Sequence, residues 1–383
     1  MKKLIIIIIT LFLFINVNAL EINSKNAILY NMNDKSIIYE KNSEEVVQIA
    51  SLTKIVTAIT VIENSEDLNK EVIIKSNMLK GLNGYVKAGF KVGDKLTYLD
   101  LLYALMLPSA ADAAQALAID MSGSIDEFSN LMNEKVKEIG VTNSNFDNPI
   151  GMDSENNYST ASDLAKILIY SLENETFKKI FNADTYKINN LNKVVKKTLT
   201  SYKTDTSIIK GAKTGFTYDA GRCLASTTTL DGVDYLFINL GADVSSENHV
   251  IDTINMYEYY STNYGYINIL SKGDLLKTIK VKHSKTKTYD IVSNIDVSLY
   301  LEKTINKENL TYKYDGIEVL NKDIKYKHKL GKVTILNNSD ILYTYDVYLD
   351  TDIKYYNYPL YIIIGVIIML LMIIIVKNKK KKK

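Results

Sequence analysis

A chain of 383 residues has room for two domains, and a hydrophobic content of 46% supports a sizeable core, which excludes a disordered tail. The formal net charge of +2 misleads, because eight lysines sit at the two ends; of 46 basic residues the remaining 38 face 44 acidic ones, a net of −6, and so acidic a body excludes nucleic acid as the expected partner. Cys223 is the only cysteine and the three histidines, His249, His283 and His328, are scattered, so no disulfide or zinc cluster can be built within one chain, and neither metal nor cofactor is expected.

Met1-Lys2-Lys3, an uncharged run from Leu4 to Ile15 and then Val17-Asn18-Ala19 have the pattern of a signal peptide over residues 1–19, with a short membrane anchor as the alternative. Ala27–Tyr30 and Ser36–Tyr39, separated by Asn31–Lys35, predict a β-hairpin. Next come Ile49-Ala50-Ser51-Leu52-Thr53-Lys54 and the apolar run Ile55–Ile62, predicted as a helix beginning at Ser51. Residues i and i+3 share a helix face, so the Ser51 hydroxyl and the Lys54 amine can meet. That is the spacing of a nucleophile and its base, provided burial lowers the lysine pKa. Alone, the pair is a weak signal that reads more readily as a capping serine and a solvated lysine, and Ser284/Lys287 repeats the spacing in a charged segment.

A Gly-punctuated loop from Gly81 to Gly93 precedes a predicted buried helix, Leu99–Leu107. Pro108 ends it, Ser109 begins another, and a third is predicted from Ile125 to Ile139. Thr160 and Asp163 form a capping-box-like pair ahead of a further helix. Lys213–Phe216, Arg222–Thr228 and Val233–Leu240 read as strands and Ile251–Tyr260 as a closing helix. The order β, then α, then β requires one antiparallel sheet assembled from both ends of a domain and covered by helices.

From about Tyr266 to Tyr355 short alternating runs predict a small all-β module. Leu360–Val376 carries no charge over 17 residues, about 25 Å as a helix. With tyrosines at 355, 356, 358 and 361 and the lysines of 377–383, it reads as a transmembrane helix with a cytoplasmic tail rather than a buried core helix. The expected division is a signal peptide over 1–19, a catalytic domain over 20–265, a β-rich accessory domain over 266–357 and the anchor over 358–383.

Lys213-Thr214-Gly215 heads a predicted strand. A strand edge with a small residue such as Gly215 lets a peptide-like substrate lie alongside by backbone pairing, while lysine and threonine can meet a carboxylate. Ser109, at a Pro108-terminated helix end, lies between this triplet and Ser51/Lys54. Taken in order, the three motifs resemble those of the serine-type D-alanyl-D-alanine carboxypeptidases, low-molecular-mass penicillin-binding proteins of the penicilloyl-serine transferase superfamily. The resemblance runs from about Ala27 to Leu240 and extends to Gly89-x-x-x-Gly93-Asp94, Leu107–Ala114, Asn148-Pro149-Ile150-Gly151, Tyr158–Leu164 and Gly211–Gly221.

It implies an α+β, β-lactamase/transpeptidase-like fold followed by the small β domain. It also implies removal of the terminal D-alanine from peptidoglycan stem peptides at the outer membrane face, and acylation by β-lactams. By the same resemblance Ser51 is the nucleophile, Lys54 its base and Ser109 a proton relay. Lys213 and Thr214 hold the substrate carboxylate, and the N–H groups of Ser51 and Phe216 form the oxyanion hole. Two features depart from the family: Ala111 stands where an asparagine is usual, and the anchor spans the membrane instead of lying on it. The missing amide keeps open a catalytically weakened binding protein as the alternative. A β-lactamase is disfavoured because no Glu-x-x-Leu-Asn element lies between Ser109 and Lys213.

Overall fold

The computed structural model describes residues 20–321, 325–354 and 358–381. The predicted signal peptide, Tyr355, Tyr356 and the last two lysines lie outside the described residues. Chain contacts divide the molecule between Thr262 and Asn263 into two units.

In the first unit, β1 (Asn26–Asn31) and β2 (Ser36–Lys41) form the predicted hairpin, and the 3₁₀ turn Ala50–Leu52 leads into α1 (Thr53–Asn64). There follow β3 (Glu71–Ile73), β4 (Lys95–Thr97), α2 (Tyr98–Met106), α3 (Ala111–Ser122), α4 (Ile125–Ile139), α5 (Ala161–Glu173) and α6 (Glu175–Phe181). A small hairpin, β5 (Thr185–Ile188) and β6 (Lys193–Lys196), precedes β7 (Gly211–Thr217), β8 (Gly221–Leu230), β9 (Val233–Ala242) and α7 (Asn248–Asn263). The five-stranded sheet has the order β2-β1-β9-β8-β7, antiparallel throughout, so the N-terminal hairpin and the late strands meet as the β, α, β order requires.

Period-2 alternation in β9 explains how the sheet is covered on both faces. Leu236, Ile238 and Leu240 face the helical core, while Tyr235 and Phe237 pack on Tyr257 of α7, whose hydroxyl also meets Ser226 Oγ at 2.8 Å. At the centre of the helical layer runs α1, buried on every side from Thr53 to Ile62. Its Ile55, Val56, Ile59, Val61 and Ile62 each contribute about 1.5–3 kcal/mol of apolar burial. That burial makes α1 a rigid mount for the residues at its start.

Local chemistry sets the helix limits. Thr97 and Asp100 form a complete capping box at the start of α2, with Thr97 Oγ1 accepting from Asp100 N at 3.1 Å and the Asp100 carboxylate accepting from Thr97 N at 2.9 Å. At α5 the predicted box is half made: Thr160 Oγ1 accepts from Asp163 N at 2.9 Å, but the Asp163 carboxylate accepts from Asn143 N and Ser144 Oγ, tying down a neighbouring loop instead. The helix predicted to begin at Ser109 begins at Ala111. Ser109 has φ of +63°, a left-handed conformation that no helix residue adopts, so it sits in a sharp turn between α2 and α3.

The second unit is all-β up to its last element: β10 (Tyr264–Leu270), β11 (Leu275–Val281), β12 (Thr288–Val292), β13 (Val297–Glu302), β14 (Leu310–Gly316), β15 (Val319–Leu320), β16 (Lys329–Asn337) and β17 (Asp340–Tyr348). They pair as β10-β13, β12-β11-β15 and β14-β16-β17 around Ile279, Ile291, Val333, Ile335 and Val347. Ser284/Lys287, the second Ser-x-x-Lys, lies in the loop between β11 and β12 and not on a helix. The chain ends in α8 (Tyr358–Lys381), whose segment Pro359–Asn378 has a mean hydropathy of 3.1 and is long and apolar enough to cross a membrane.

Candidate active site

Ser51 lies in the 3₁₀ turn immediately before α1, and Lys54 in the first turn of the helix itself, so the expected one-face geometry holds although the α-helix starts two residues later than predicted. Lys54 Nζ and Ser51 Oγ are 2.9 Å apart, and Nζ donates to the Ile150 carbonyl at 2.5 Å. Lys54 is 1% exposed, and burial lowers its pKa from the ordinary lysine value to about 7. A neutral amine has two N–H groups and one lone pair. With an N–H committed to Ile150, the lone pair can receive the Ser51 O–H, which is the arrangement a general base requires.

The Ile150 carbonyl is held by its own loop. Asn148 Oδ1 accepts from the N–H groups of Ile150, Gly151 and Met152 at 3.2, 2.8 and 2.9 Å, and Thr57 Oγ1 of α1 donates to the Pro149 carbonyl at 2.7 Å. Gly151 has φ of +78°, and a Cβ there would come within 2.0 Å of the Ala50 carbonyl oxygen, so only glycine lets this loop close on the turn that carries Ser51.

Across the cavity, β7 is an edge strand of the sheet, and its Gly215 passes the Ser51 turn so closely that a Cβ would lie 3.0 Å from the Ile49 carbonyl and 3.2 Å from Ser51 N. Lys213, also 1% exposed, donates to Ser109 Oγ and to the Thr214 carbonyl, both at 2.8 Å. Burial first, and the positive field of Lys54 second, hold its pKa well below the lysine range. The structure thus links Ser51 to Lys54 and Ser109 to Lys213. Ser51, Lys54 and Ser109 converge on a cavity of about 200 Å³ that Thr214, Gly215 and Phe216 also line, with Tyr85, Ala111 and Tyr202 among the rest of its wall. Lys213 itself is not part of the lining; its amine lies behind Ser109.

Sequence reasoning did not single out several contributors. Asp112 accepts from the N–H groups of Ala88, Gly89 and Phe90 at 2.8, 2.8 and 3.2 Å, pinning the glycine-rich loop whose Gly84, Tyr85 and Val86 wall the cavity. An acidic residue in the first turn of α3 was the only trace of this role in the sequence. The Ile150 carbonyl is a backbone group and leaves no side-chain signal. Tyr202 is one of 28 tyrosines.

Compared with known proteins, the chain matches the family described as D-alanyl-D-alanine carboxypeptidase over residues 14–244, more than half its length. The chain belongs to that family. Residues 264–355 match the penicillin-binding protein 5 C-terminal domain, so the β-rich second unit is the accessory domain found in this group. Among characterised relatives, D-alanyl-D-alanine carboxypeptidase DacF of Bacillus subtilis is 26% identical over 341 residues, covering 86% of each chain. A D-alanyl-D-alanine endopeptidase of Escherichia coli is 30% identical over 222 residues, 55% of this chain and 69% of that one. Penicillin-binding protein 5 of Haemophilus influenzae superposes with a TM-score of 0.68 at 20% identity, covering 87% of this chain and 98% of that one, which shows a shared fold. The α+β fold and carboxypeptidase-family membership expected from the motifs are therefore both met.

Proposed function

We propose that this carboxypeptidase works through Ser51, with Lys54 as its base. The Ser51 oxygen attacks the carbonyl carbon between the last two D-alanines of a peptidoglycan stem peptide, and its proton passes to the neutral Lys54 amine. The N–H groups of Ser51 and Phe216 receive the oxyanion. The C–N bond then breaks, and the departing D-alanine nitrogen takes a proton relayed through Ser109, which Lys213 holds in place. Water hydrolyses the acyl-Ser51 ester and returns the enzyme. Penicillin enters the same first step, its ring amide standing in for the peptide bond. Thr214 and the edge of β7 at Gly215 and Phe216 hold the substrate, with Lys213 behind them fixing Ser109 and the Thr214 carbonyl. The observation that carries this reading is the 2.9 Å contact between Ser51 Oγ and a buried Lys54 amine whose pKa is lowered to about 7.

Ala111 bears on the alternative of a weakened binding protein. Its methyl group lines the cavity and offers no hydrogen bond. The contact from Lys54 to Ile150 supports turnover nonetheless, because the base keeps a fixed partner without an asparagine. We further propose that residues 1–19 direct export, that α8 anchors the chain in the cell membrane, and that the catalytic unit faces the wall with the lysine tail inside. Intact-mass measurement after incubation with benzylpenicillin tests the active-site assignment: one adduct on the wild type and none on Ser51→Ala is expected. An adduct on Ser51→Ala refutes it.

A further inference from the structure

Behind the cavity wall lies a buried histidine that the mechanism above does not use. His249, in the first turn of α7, is fully buried; its Nε2 lies 3.0 Å from the Tyr202 hydroxyl, and the two rings meet edge to face with centroids 5.3 Å apart. Its other ring nitrogen, Nδ1, has no hydrogen-bond partner among the described residues. The backbone on both sides is fixed. Asn239 Nδ2 donates to the His249 carbonyl at 2.7 Å, and Glu247 accepts from Lys203 N, Thr204 N and Thr204 Oγ1 at 3.0, 3.0 and 2.7 Å. The segment carrying Tyr202 is therefore clamped to the start of α7 at two points.

Burial, reinforced by the nearby Arg222, lowers the His249 pKa to about 4, so the ring is neutral at physiological pH and carries one proton. If that proton were on Nδ1, a buried N–H would lack an acceptor. On Nε2 it leaves only an unused lone pair, the more tolerable of the two states. Nε2–H therefore donates to the Tyr202 oxygen, and the Tyr202 O–H is left to donate elsewhere. Tyr202 lines the cavity that holds Ser51. Arg222, the only arginine in the chain, lies over the Phe216 ring at 5.4 Å, donates from Nε to the Val244 carbonyl, and adds positive field beside the Tyr202 hydroxyl.

This arrangement addresses a gap left by Lys213. The Lys213 amine is engaged by Ser109 Oγ and the Thr214 carbonyl, and Lys213 does not line the cavity. A substrate carboxylate beside Thr214 would need a further donor. We propose that Tyr202 is that donor: its hydroxyl binds the free C-terminal carboxylate of the substrate, and His249 is the positioning residue that aims it. The inference rests on the functional reading above and deepens it, making Tyr202 a residue that selects acid over neutral peptide ends.

The test compares a D-Ala-D-Ala peptide acid with the same peptide amidated at its C-terminus, in the full chain. Tyr202→Phe keeps the ring and deletes the donor. Its kcat/KM for the acid should fall about tenfold further than that for the amide, the value of one charge-assisted hydrogen bond. His249→Leu should reproduce this differential loss, and His249→Gln, whose amide N–H can replace Nε2–H, should restore most of it. An unchanged acid-to-amide ratio in Tyr202→Phe, or equal losses on both peptides, overturns the proposal while Ser51 still labels with benzylpenicillin. Failure of the wild type to label at Ser51 would overturn the functional reading and this inference with it.

Discussion

Titration of Lys54 should govern the rate of acylation. In the folded protein this lysine ionises near 7 because burial penalises its charged form, and only the neutral amine can accept the Ser51 proton. The fraction of neutral amine is about one half at pH 7, one tenth at pH 6 and one hundredth at pH 5, which follows from a single titration at that value. The second-order rate of Ser51 acylation by benzylpenicillin should therefore rise about tenfold per unit between pH 5 and 6.5 and level off above pH 8. The same shift has a consequence for stability. Between about 7 and 10.5 the unfolded chain binds a proton that the folded chain does not, so stability rises with pH across this window by up to about 1.4 kcal/mol per unit from Lys54 alone. Below 7 both states are protonated and the cost is present in full. Stopped-flow or quenched mass measurements across pH 5–9 read the first effect, and denaturant melts of the Ser51→Ala protein read the second. A flat acylation rate from pH 5 to 8, with the adduct still on Ser51, would refute Lys54 as the base.

Three further outcomes follow from the geometry. Ala111→Asn should raise the acylation rate by up to about tenfold by adding a polar partner in the cavity, with little change in melting temperature; a slower variant with an intact fold would show that Ile150 already satisfies the lysine and that the larger side chain obstructs substrate. Gly151→Ala should destabilise the fold by about 2–4 kcal/mol and suppress labelling at Ser51, because its Cβ cannot occupy a point 2.0 Å from the Ala50 oxygen; wild-type stability would contradict the close approach. Ending the chain before Tyr358 should release the protein from the membrane fraction while leaving penicillin labelling intact, and continued sedimentation with membranes would count against α8 as the anchor.

How much of this was legible in the sequence depended on which kind of atom carries each role. Strands β7, β8 and β9 were readable because alternation and turn residues mark them, and α1 because its apolar run is too long for a strand. Side-chain motifs, Ser51/Lys54, Ser109 and Lys213-Thr214-Gly215, were readable as residue types at fixed spacing. The capping box of Thr97 and Asp100 carries the same kind of signal, a threonine followed three residues later by an acid. Short elements such as β3, β4, β5 and β6, of three or four residues each, fall below any periodicity. The partner of Lys54 is a backbone carbonyl, which any residue at position 150 would supply, so only the flanking Asn148 and Gly151 hinted at it. The left-handed conformations of Ala50 and Ser109 were not legible, since neither residue type signals a positive φ.

Those two conformations belong to the mechanism of assembly. Ala50, at φ of +48°, precedes the proposed nucleophile Ser51, and Ser109, at +63°, is the proposed relay; each departs from the backbone region an L-residue prefers, at a cost of order 1–3 kcal/mol. Both turns are held from outside. The Ser51 turn is enclosed by Gly151, from the loop before α5, and Gly215, from strand β7, both of which approach its backbone closely. The Ser109 turn is bracketed by Ala110 N donating to the Ala104 carbonyl at 3.0 Å and Ala111 N donating to the Val86 carbonyl at 2.8 Å. Add two buried lysines, each disfavoured in its charged form, and the site concentrates several unfavourable terms within one small cavity. The fully buried α1 and the two-faced packing of the sheet offset them. Replacing Lys54 by methionine should accordingly stabilise the fold at pH 6 while abolishing acylation, the outcome expected where residues are retained for chemistry against their own contribution to folding.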